Sequence, residues 1–271
     1  MTRKMLQVNK VADTECAEDA ADRAMALESP LESHNPAAAK PKSSEMNPGP
    51  GFRIKMDVDR LDPELVHAFR SYEVADVSDV LNRMFTMSPE IRNLTNDKPV
   101  VGPALTVKLF PGDNLMLHKA LDVARPGDIV VVDTSNSQRN AVLGDLIANK
   151  AVHREIAGFI IDGLIRDIDG IVETGIPVYA RGITAFGPLH RGPGELNYPV
   201  CCGGVVVDPG DIVTADRTGI TIVRKDSAES TLLRLVAQKA RMAEYVANVK
   251  RGIFSNSWVD DQLAADGCVF E

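Results

Sequence analysis

The stretch 128–182, DIVVVDTSNSQRNAVLGDLIANKAVHREIAGFIIDGLIRDIDGIVETGIPVYARG, decides the fold because its hydrophobic period keeps changing. DIVVVD (128–133) is a short apolar run bounded by polar residues and reads as a strand; TSNSQRNAVL (134–143) reads as a polar loop. GDLIANKAVHRE (144–155) has apolar residues at helical spacing, AGFIIDG (157–163) is again a strand, LIRDIDGIVETG (164–175) a loop and short helix, and PVYARG (177–182) the next strand. Strands and helices alternating at these lengths pair in parallel through right-handed crossovers. The fold class is therefore α/β, with a mixed sheet containing βαβ units.

This order also gathers reactive side chains. About eleven helical residues at ~1.5 Å each run ~16 Å down the sheet, and six strand residues at ~3.3 Å each return ~20 Å. Asp145, at the helix start, and Arg166-Asp167, after the following strand, are thus expected at one sheet edge. There strand carboxyl ends face a helix amino terminus, the place where open α/β sheets take ligands. Two carboxylates without Cys or a well-placed His make a hard oxygen site for Mg²⁺ or Mn²⁺. Arg166 adds a permanent cation whose fork suits a carboxylate or an enolate, and amides around Gly144 to Leu146 suit a substrate carboxylate. Together these groups point to a small oxo acid.

An Asp, twenty intervening residues and Arg-Asp, here Asp145, residues 146–165 and Arg166-Asp167, form a pattern that resembles the 4-hydroxy-4-methyl-2-oxoglutarate aldolase family. GDLIANKA (144–151), GFIIDGLIRDIDGI (158–171), PVYARGITAFGP (177–188) and PVCCGGVVVDPGDIVTADRTGITIV (199–223) are similar to that family and to its relative, the regulator of ribonuclease activity A. The resemblance spans about residues 55–252. It implies an αββα sandwich like the swivelling β/β/α domain, assembled as a homotrimer or a dimer of trimers. It also implies a metal-dependent (class II) pyruvate aldolase, a carbon–carbon lyase that cleaves acids of the 4-hydroxy-4-methyl-2-oxoglutarate or 4-carboxy-4-hydroxy-2-oxoadipate type to pyruvate and a second oxo acid, and that also decarboxylates oxaloacetate. Carried onto this chain, Asp167 would ligate the metal, Arg166 would bind substrate and the developing enolate oxygen, and Asp145 would hold a water. Backbone at Gly144, Asp145, Leu146 and Ile147 would bind the pyruvyl carboxylate, and Glu244 is the candidate for an acidic residue reaching a neighbouring subunit's site. The relative implies a different reading, a ribonuclease-binding regulator without catalysis. A third reading keeps metal-enolate chemistry in a decarboxylase or hydratase of another oxo acid.

Outward from this centre, DPELVHAFRSYEVADVSDVLNRM (62–84) reads as two helices broken near Tyr72, with Asp62 as cap before Pro63. SAESTLLRLVAQKARMAEYVANVKRG (227–252) reads as an amphipathic helix ended by Gly252. Pro-Gly-Asp occurs at 111–113, 126–128 and 209–211, and PGDIVVVD (126–133) resembles PGDIVTAD (209–216), either as a shared turn device or as an internal duplication. Residues 1–50 carry a possible short helix, KVADTECAEDAADRAMALE (10–28), and a Pro/Ser/Ala/Lys linker. The organisation expected is a flexible extension (1–50), a catalytic domain (51–254) and a carboxy-terminal tail (255–271).

Of the 271 residues, 30 are Lys or Arg and 38 Asp or Glu, a net charge of −8 that gives no general attraction to nucleic acid or anionic lipid. No run approaches the ~18 apolar residues of a membrane span, no leader segment is recognisable, and the four cysteines read as reduced, so a cytoplasmic protein is expected. The glycines match no complete nucleotide fingerprint, and no Gly-rich loop after a strand supports methyl transfer. Asp162 reads as a strand residue and Asp169 as a helix cap, while Ser135, Asn136 and Arg139 read as a polar turn in which Arg139 is the candidate to meet a second carboxylate. His190, Arg191 and Glu195 read as an ordinary loop or a contact, His67, His118 and His153 as surface or core residues, and Cys201-Cys202 as fillers of small buried sites.

Overall fold

The computed structural model describes residues 45–269 and 271. In chain order its elements are β1 (Phe52–Ile54), α1 (Pro63–Ala68), α2 (Val74–Val80), β2 (Arg92–Asn93), β3 (Val100–Leu109), α3 (Leu115–Val123), β4 (Ile129–Asp133), β5 (Ala141–Leu143), α4 (Asp145–His153), β6 (Gly158–Ile165), α5 (Ile168–Thr174), β7 (Val178–Ile183), β8 (Gly194–Leu196), β9 (Val200–Cys202), β10 (Val205–Val207), β11 (Ile212–Asp216), β12 (Gly219–Val223), α6 (Ala228–Lys250) and α7 (Ser257–Ala265). Asp62 caps α1 as expected, its Oδ1 accepting the Glu64 amide at 2.8 Å, and a 3₁₀ turn at Phe69–Ser71 makes the break before α2. The helix expected within 10–28 lies outside the described residues. Seven elements are absent from the sequence reading: β1, β2, α3, β8 and β9, together with β5, within the segment read as loop, and α7, within the segment read as tail, which buries no side chain.

The main sheet has the order β1-β8-β3-β4-β6-β7-β2. Its centre, β3-β4-β6-β7, is parallel, while β8 and β2 are antiparallel to β3 and β7. Strand β3 serves two layers. Its first residues, Val100–Pro103, pair antiparallel with β11 of the β11-β12 hairpin, and Ala104–Lys108 pair in parallel with β4. The change falls at Gly102-Pro103: Pro103 has no amide to place in a ladder, and a Cβ on Gly102 would lie 2.3 Å from Gly127 O.

Alternation along the strands then fixes the layers. Leu105, Val107, Val130, Val132, Phe159 and Ile161 pack under α3, α4 and α5, against Leu117, Ala120, Ala148 and Ile171. Their neighbours Ala104, Ile129, Val131 and Ile160 face the opposite way, onto β9 to β12 through Val207, Val213, Ile220 and Ile222. Helices α1, α2 and α6 cover the far side of the hairpin through Val66, Val77 and Leu235 against Val101, Ile212 and Val223. The result is an αββα sandwich built on a mostly parallel mixed sheet. Among the described residues no helix is long and apolar enough to cross a membrane.

The two similar Pro-Gly-Asp stretches are one device used twice. Asp128 and Asp211 are 0% and 1% exposed, and each carboxylate accepts the amide three residues earlier, from Arg125 at 2.8 Å and Asp208 at 3.0 Å. Each also meets a guanidinium, Arg60 at 2.7 Å and Arg224 at 3.2 Å. The strands that follow, β4 and β11, lie on the two stretches of β3. The third copy differs: Asp113 Oδ1 accepts the Leu115 amide at 2.8 Å and leads into α3.

Gly102→Ala is expected to cost about 1–3 kcal/mol, because a fixed carbonyl rather than a mobile side chain occupies the space of the new methyl. Urea denaturation of the two proteins, compared at equal m-value, measures this; an unchanged midpoint would show that β3 can shift away from Gly127.

Candidate active site

Strand β4 ends at Asp133, whereas β6 continues to Ile165, which leaves an open slot beside the last residues of β6. The chain turns away through Ser135 and Asn136, both left-handed (φ 55° and 60°), and returns as β5, which fills that slot. Leu143 pairs with Ile165, and the Arg166 amide donates to Leu143 O at 3.0 Å. Gly144-Asp145 and Arg166-Asp167 therefore leave adjacent strand ends. The sequence estimate carried the chain down a helix and back along a strand; β5 makes the meeting direct.

Asp167 caps α5 in a left-handed conformation (φ 56°, ψ 43°), a state that Asp tolerates better than most residues. Its Oδ2 lies 3.1 Å from Arg166 Nε, and both side chains are 43% exposed at the cleft. The site is tight enough to need glycines: a Cβ on Gly144 would come within 2.6 Å of Asp167 Oδ2, and one on Gly187 within 2.8 Å of Arg166 Nη1. Asp145 Oδ1 accepts the Leu146 amide at 2.7 Å, and the Ile147 amide donates to Gly144 O at 3.1 Å while its side chain is buried in the core. The amides of Gly144 and Asp145 have no acceptor among the described residues, so they are the open donors at the α4 amino terminus.

These residues line a cleft of about 190 Å³ together with Asn114, His118 and His190, which the sequence reading had not assigned to the site. Asn114, 2% exposed, donates from Nδ2 to Val142 O at 2.9 Å, and its Oδ1 lies 2.6 Å from His190 Nδ1. The His118 and His190 rings meet edge to face with centroids 5.5 Å apart. Burial, with Lys150 and His190 adding to it, pushes the His118 imidazole below its ordinary pKa. The available sequence signal was the i, i+4 spacing of Asn114 and His118 at the start of α3. His190 comes from a distant loop and had none.

The other candidates are placed elsewhere. Asp162 binds Arg181 and accepts the Gly203 amide at 2.7 Å, tying the β9-β10 turn to β6. Ser135 donates to Leu109 O at 2.8 Å, and Arg139 stacks on Phe186 at 4.5 Å. Glu195 accepts from Arg53 Nε at 2.6 Å and from the Gly51 amide at 2.8 Å, so it anchors β1. Cys202 is fully buried, which pushes its thiol well up, but Cys201 is exposed and fills no buried site; both are free, as is Cys268. Glu244 is exposed on the outer half of α6. His153 lines a neighbouring groove with Lys150 and Arg154. A larger cleft of about 360 Å³ opens at the opposite end of the strands, where Asp216 is engaged by the Val74 amide at 3.0 Å.

No cage of three or more His, Cys, Asp or Glu exists among the described residues. The cleft does present two carboxylates, Asp145 and Asp167. That donor set fits Mg²⁺ or Mn²⁺, ions that keep several waters and take one or two protein carboxylates.

An αββα sandwich with carboxylates, a guanidinium and open helix amides at its strand carboxyl ends presents a candidate small-molecule site at the place where open α/β sheets take ligands. Residues 74–222 match the family described as RraA-like, Aldolase/RraA, and the chain belongs to that family. A protein of Halalkalibacterium halodurans named "Putative 4-hydroxy-4-methyl-2-oxoglutarate aldolase" is 35% identical over 177 residues, 65% of this chain and 84% of its own length. Among solved structures, Streptomyces coelicolor RraAS2, called an unusual member of the RNase ES inhibitor RraA protein family, is 26% identical with TM-score 0.64, covering 70% of this chain and 99% of its own. A Geobacillus kaustophilus protein named S-adenosylmethionine: 2-dimethylmenaquinone methyltransferase is 34% identical with TM-score 0.53, covering 57% and 96%.

His118 supplies a pH test. With a folded pKa below the ordinary 6.5, the unfolded chain takes up a proton as pH falls through that value while the folded chain does not. Stability should therefore decline below about pH 6.5 until the folded imidazole protonates, and His118→Gln should flatten that part of a urea-midpoint profile. Identical profiles would show that His118 titrates as a free imidazole.

Proposed function

We propose that the cleft catalyses metal-dependent retro-aldol cleavage of a 4-hydroxy-2-oxo polycarboxylic acid, of the 4-hydroxy-4-methyl-2-oxoglutarate or 4-carboxy-4-hydroxy-2-oxoadipate type, to pyruvate and a second oxo acid, with oxaloacetate decarboxylation as a companion activity. The observation that carries this reading is the meeting of Asp145, Arg166 and Asp167 with the open Gly144 and Asp145 amides in one cleft. Asp167 would hold Mg²⁺ or Mn²⁺, with Asp145 holding a water beside it; the ion would supply Lewis acidity to the oxo acid.

The chain does the rest. The α4 amino terminus binds the pyruvyl carboxylate through the Gly144 and Asp145 amides, the Leu146 amide being held by Asp145 Oδ1. The Arg166 guanidinium offsets the negative charge that grows on the C2 oxygen as the C3–C4 bond breaks. Asp145, through a water, accepts the C4 hydroxyl proton. Decarboxylation of oxaloacetate forms the same enolate without that proton transfer, so one site serves both reactions. A homotrimer or a dimer of trimers is part of this reading; the exposed row Met242, Tyr245, Val246 and Val249 on α6 is an apolar surface available for self-association, with Glu244 on the same half of the helix.

Likeness to the Streptomyces protein favours a second reading, a cytoplasmic regulator that binds a ribonuclease without turnover. Methyl transfer has less support, since the loop after β4, residues 134–140, contains no glycine to approach a nucleotide-like cofactor.

Pyruvate release from 4-hydroxy-4-methyl-2-oxoglutarate and from oxaloacetate, with Mg²⁺, with Mn²⁺ and after chelation, tests the reading. Metal-dependent release from both is expected, and Asp167→Ala and Arg166→Ala should each lower it by about 100-fold or more. Asp145→Asn should reduce aldol cleavage more than decarboxylation; equal losses would make Asp145 a positioning group. No release from either acid, with capture of a ribonuclease, would replace the aldolase with the regulator.

A further inference from the structure

The loop bearing His190 is held far more firmly than an exposed turn requires. The Leu189 amide donates to Gly112 O at 2.8 Å, the Asn114 amide donates to Leu189 O at 2.9 Å, and the Arg191 amide donates to Asp113 Oδ2 at 2.5 Å. His190 Nδ1 completes the set on Asn114 Oδ1 at 2.6 Å. Three consecutive residues are thus fastened to the 112–114 turn, whose Asp113 and Asn114 are each 2% exposed. Buried polar side chains are costly unless fully used. Here both are used to hold one exposed imidazole at the rim of the cleft that contains Asp145, Arg166 and Asp167.

The same network fixes which ring nitrogen works. Asn114 Nδ2 donates to Val142 O, so Oδ1 is the atom facing His190, and Nδ1 must be the donor. Nδ1 therefore keeps its proton in both charge states, and Nε2 is the atom that gains and loses one. The neighbouring His118 is disfavoured as the protonated partner by its burial.

We infer that His190 is the acid that delivers a proton from Nε2 to C3 of the enolate, an inference that rests on the aldolase reading above. The step balances. The enolate C2–C3 π pair forms the new C3–H bond, the C2 oxygen regains its carbonyl, and His190 passes from imidazolium to neutral imidazole and is reprotonated from solvent, to which it is open. The C4 hydroxyl proton leaves separately through Asp145. In reverse, neutral Nε2 removes a proton from the methyl group of pyruvate, so the step can be followed without aldol cleavage.

The experiment is exchange of pyruvate methyl protons in D₂O with Mg²⁺, followed by proton NMR for the wild-type chain, His190→Asn and His190→Ala, with thermal melting alongside. His190→Asn retains an amide donor toward Asn114 but carries no proton for C3. Expected are exchange in the wild type, a loss of about 100-fold in both variants at unchanged melting temperature, and partial recovery of His190→Ala by added imidazole. Undiminished exchange in the variants overturns the role of His190 and leaves the aldolase reading intact. Loss accompanied by a lowered melting temperature and no imidazole recovery also overturns it, making His190 a structural residue. A wild type that neither exchanges pyruvate protons nor cleaves either oxo acid overturns both readings together.

Discussion

The close approach of Gly102 to the Gly127 carbonyl is the constraint on which the architecture depends. A strand that donates one stretch to an antiparallel hairpin and the next to a parallel sheet must bend where its partners change, and β3 does so where one residue lacks a side chain and the next lacks an amide. Because β3 belongs to both layers, the hairpin is fixed over one face of the sheet while α3, α4 and α5 cover the other. The central strands are then buried on both faces, and only their ends meet solvent. The candidate cleft lies at such an end.

What makes one end reactive is a mismatch of lengths. Strand β6 outlasts β4, and the chain fills the vacancy with β5, so two strand termini with different side chains open into one cleft. The cleft is narrow because the carboxylate of Asp167 and the guanidinium of Arg166 rest against glycine backbone rather than side chains. It is also asymmetric. The α4 amides and Arg166 bring positive character, Asp145 and Asp167 negative, and the His190 loop crosses its rim, secured by buried Asp113 and Asn114. Preorganisation of this kind is what stabilising a short-lived anion requires, since the dipoles do not have to turn when the charge appears.

Much of this was legible in the sequence because it is local. The runs 128–133, 157–163 and 177–182 carry their period in consecutive residues, and the span from Asp145 to Arg166 is bridged by regular elements of known rise. What escaped is non-local. Ala141, Val142 and Leu143 are too few for a periodic signal, yet all are buried, because their strand status comes from the edge that β6 offers. His190 is 76 positions from Asn114, and nothing in the intervening sequence records that a hydrogen bond will join them. Cys201 and Cys202 look alike in sequence but point to opposite sides of β9, one outward and one into the core.

The names borne by this chain's relatives differ in kind: a sequence relative is named as a putative aldolase, while two solved folds that superimpose on this one are named for a ribonuclease-inhibitor family and for a methyltransferase. Sandwich geometry therefore does not select among them. The cleft is more selective. A docking surface needs area and complementarity, and neither explains a left-handed Asp beside an Arg, two helix amides without acceptors, or buried Asp and Asn side chains fastening one imidazole. In the proposed reading they act together, each facing one part of the same cleft of about 190 Å³: a carboxylate, a developing enolate and a mobile proton.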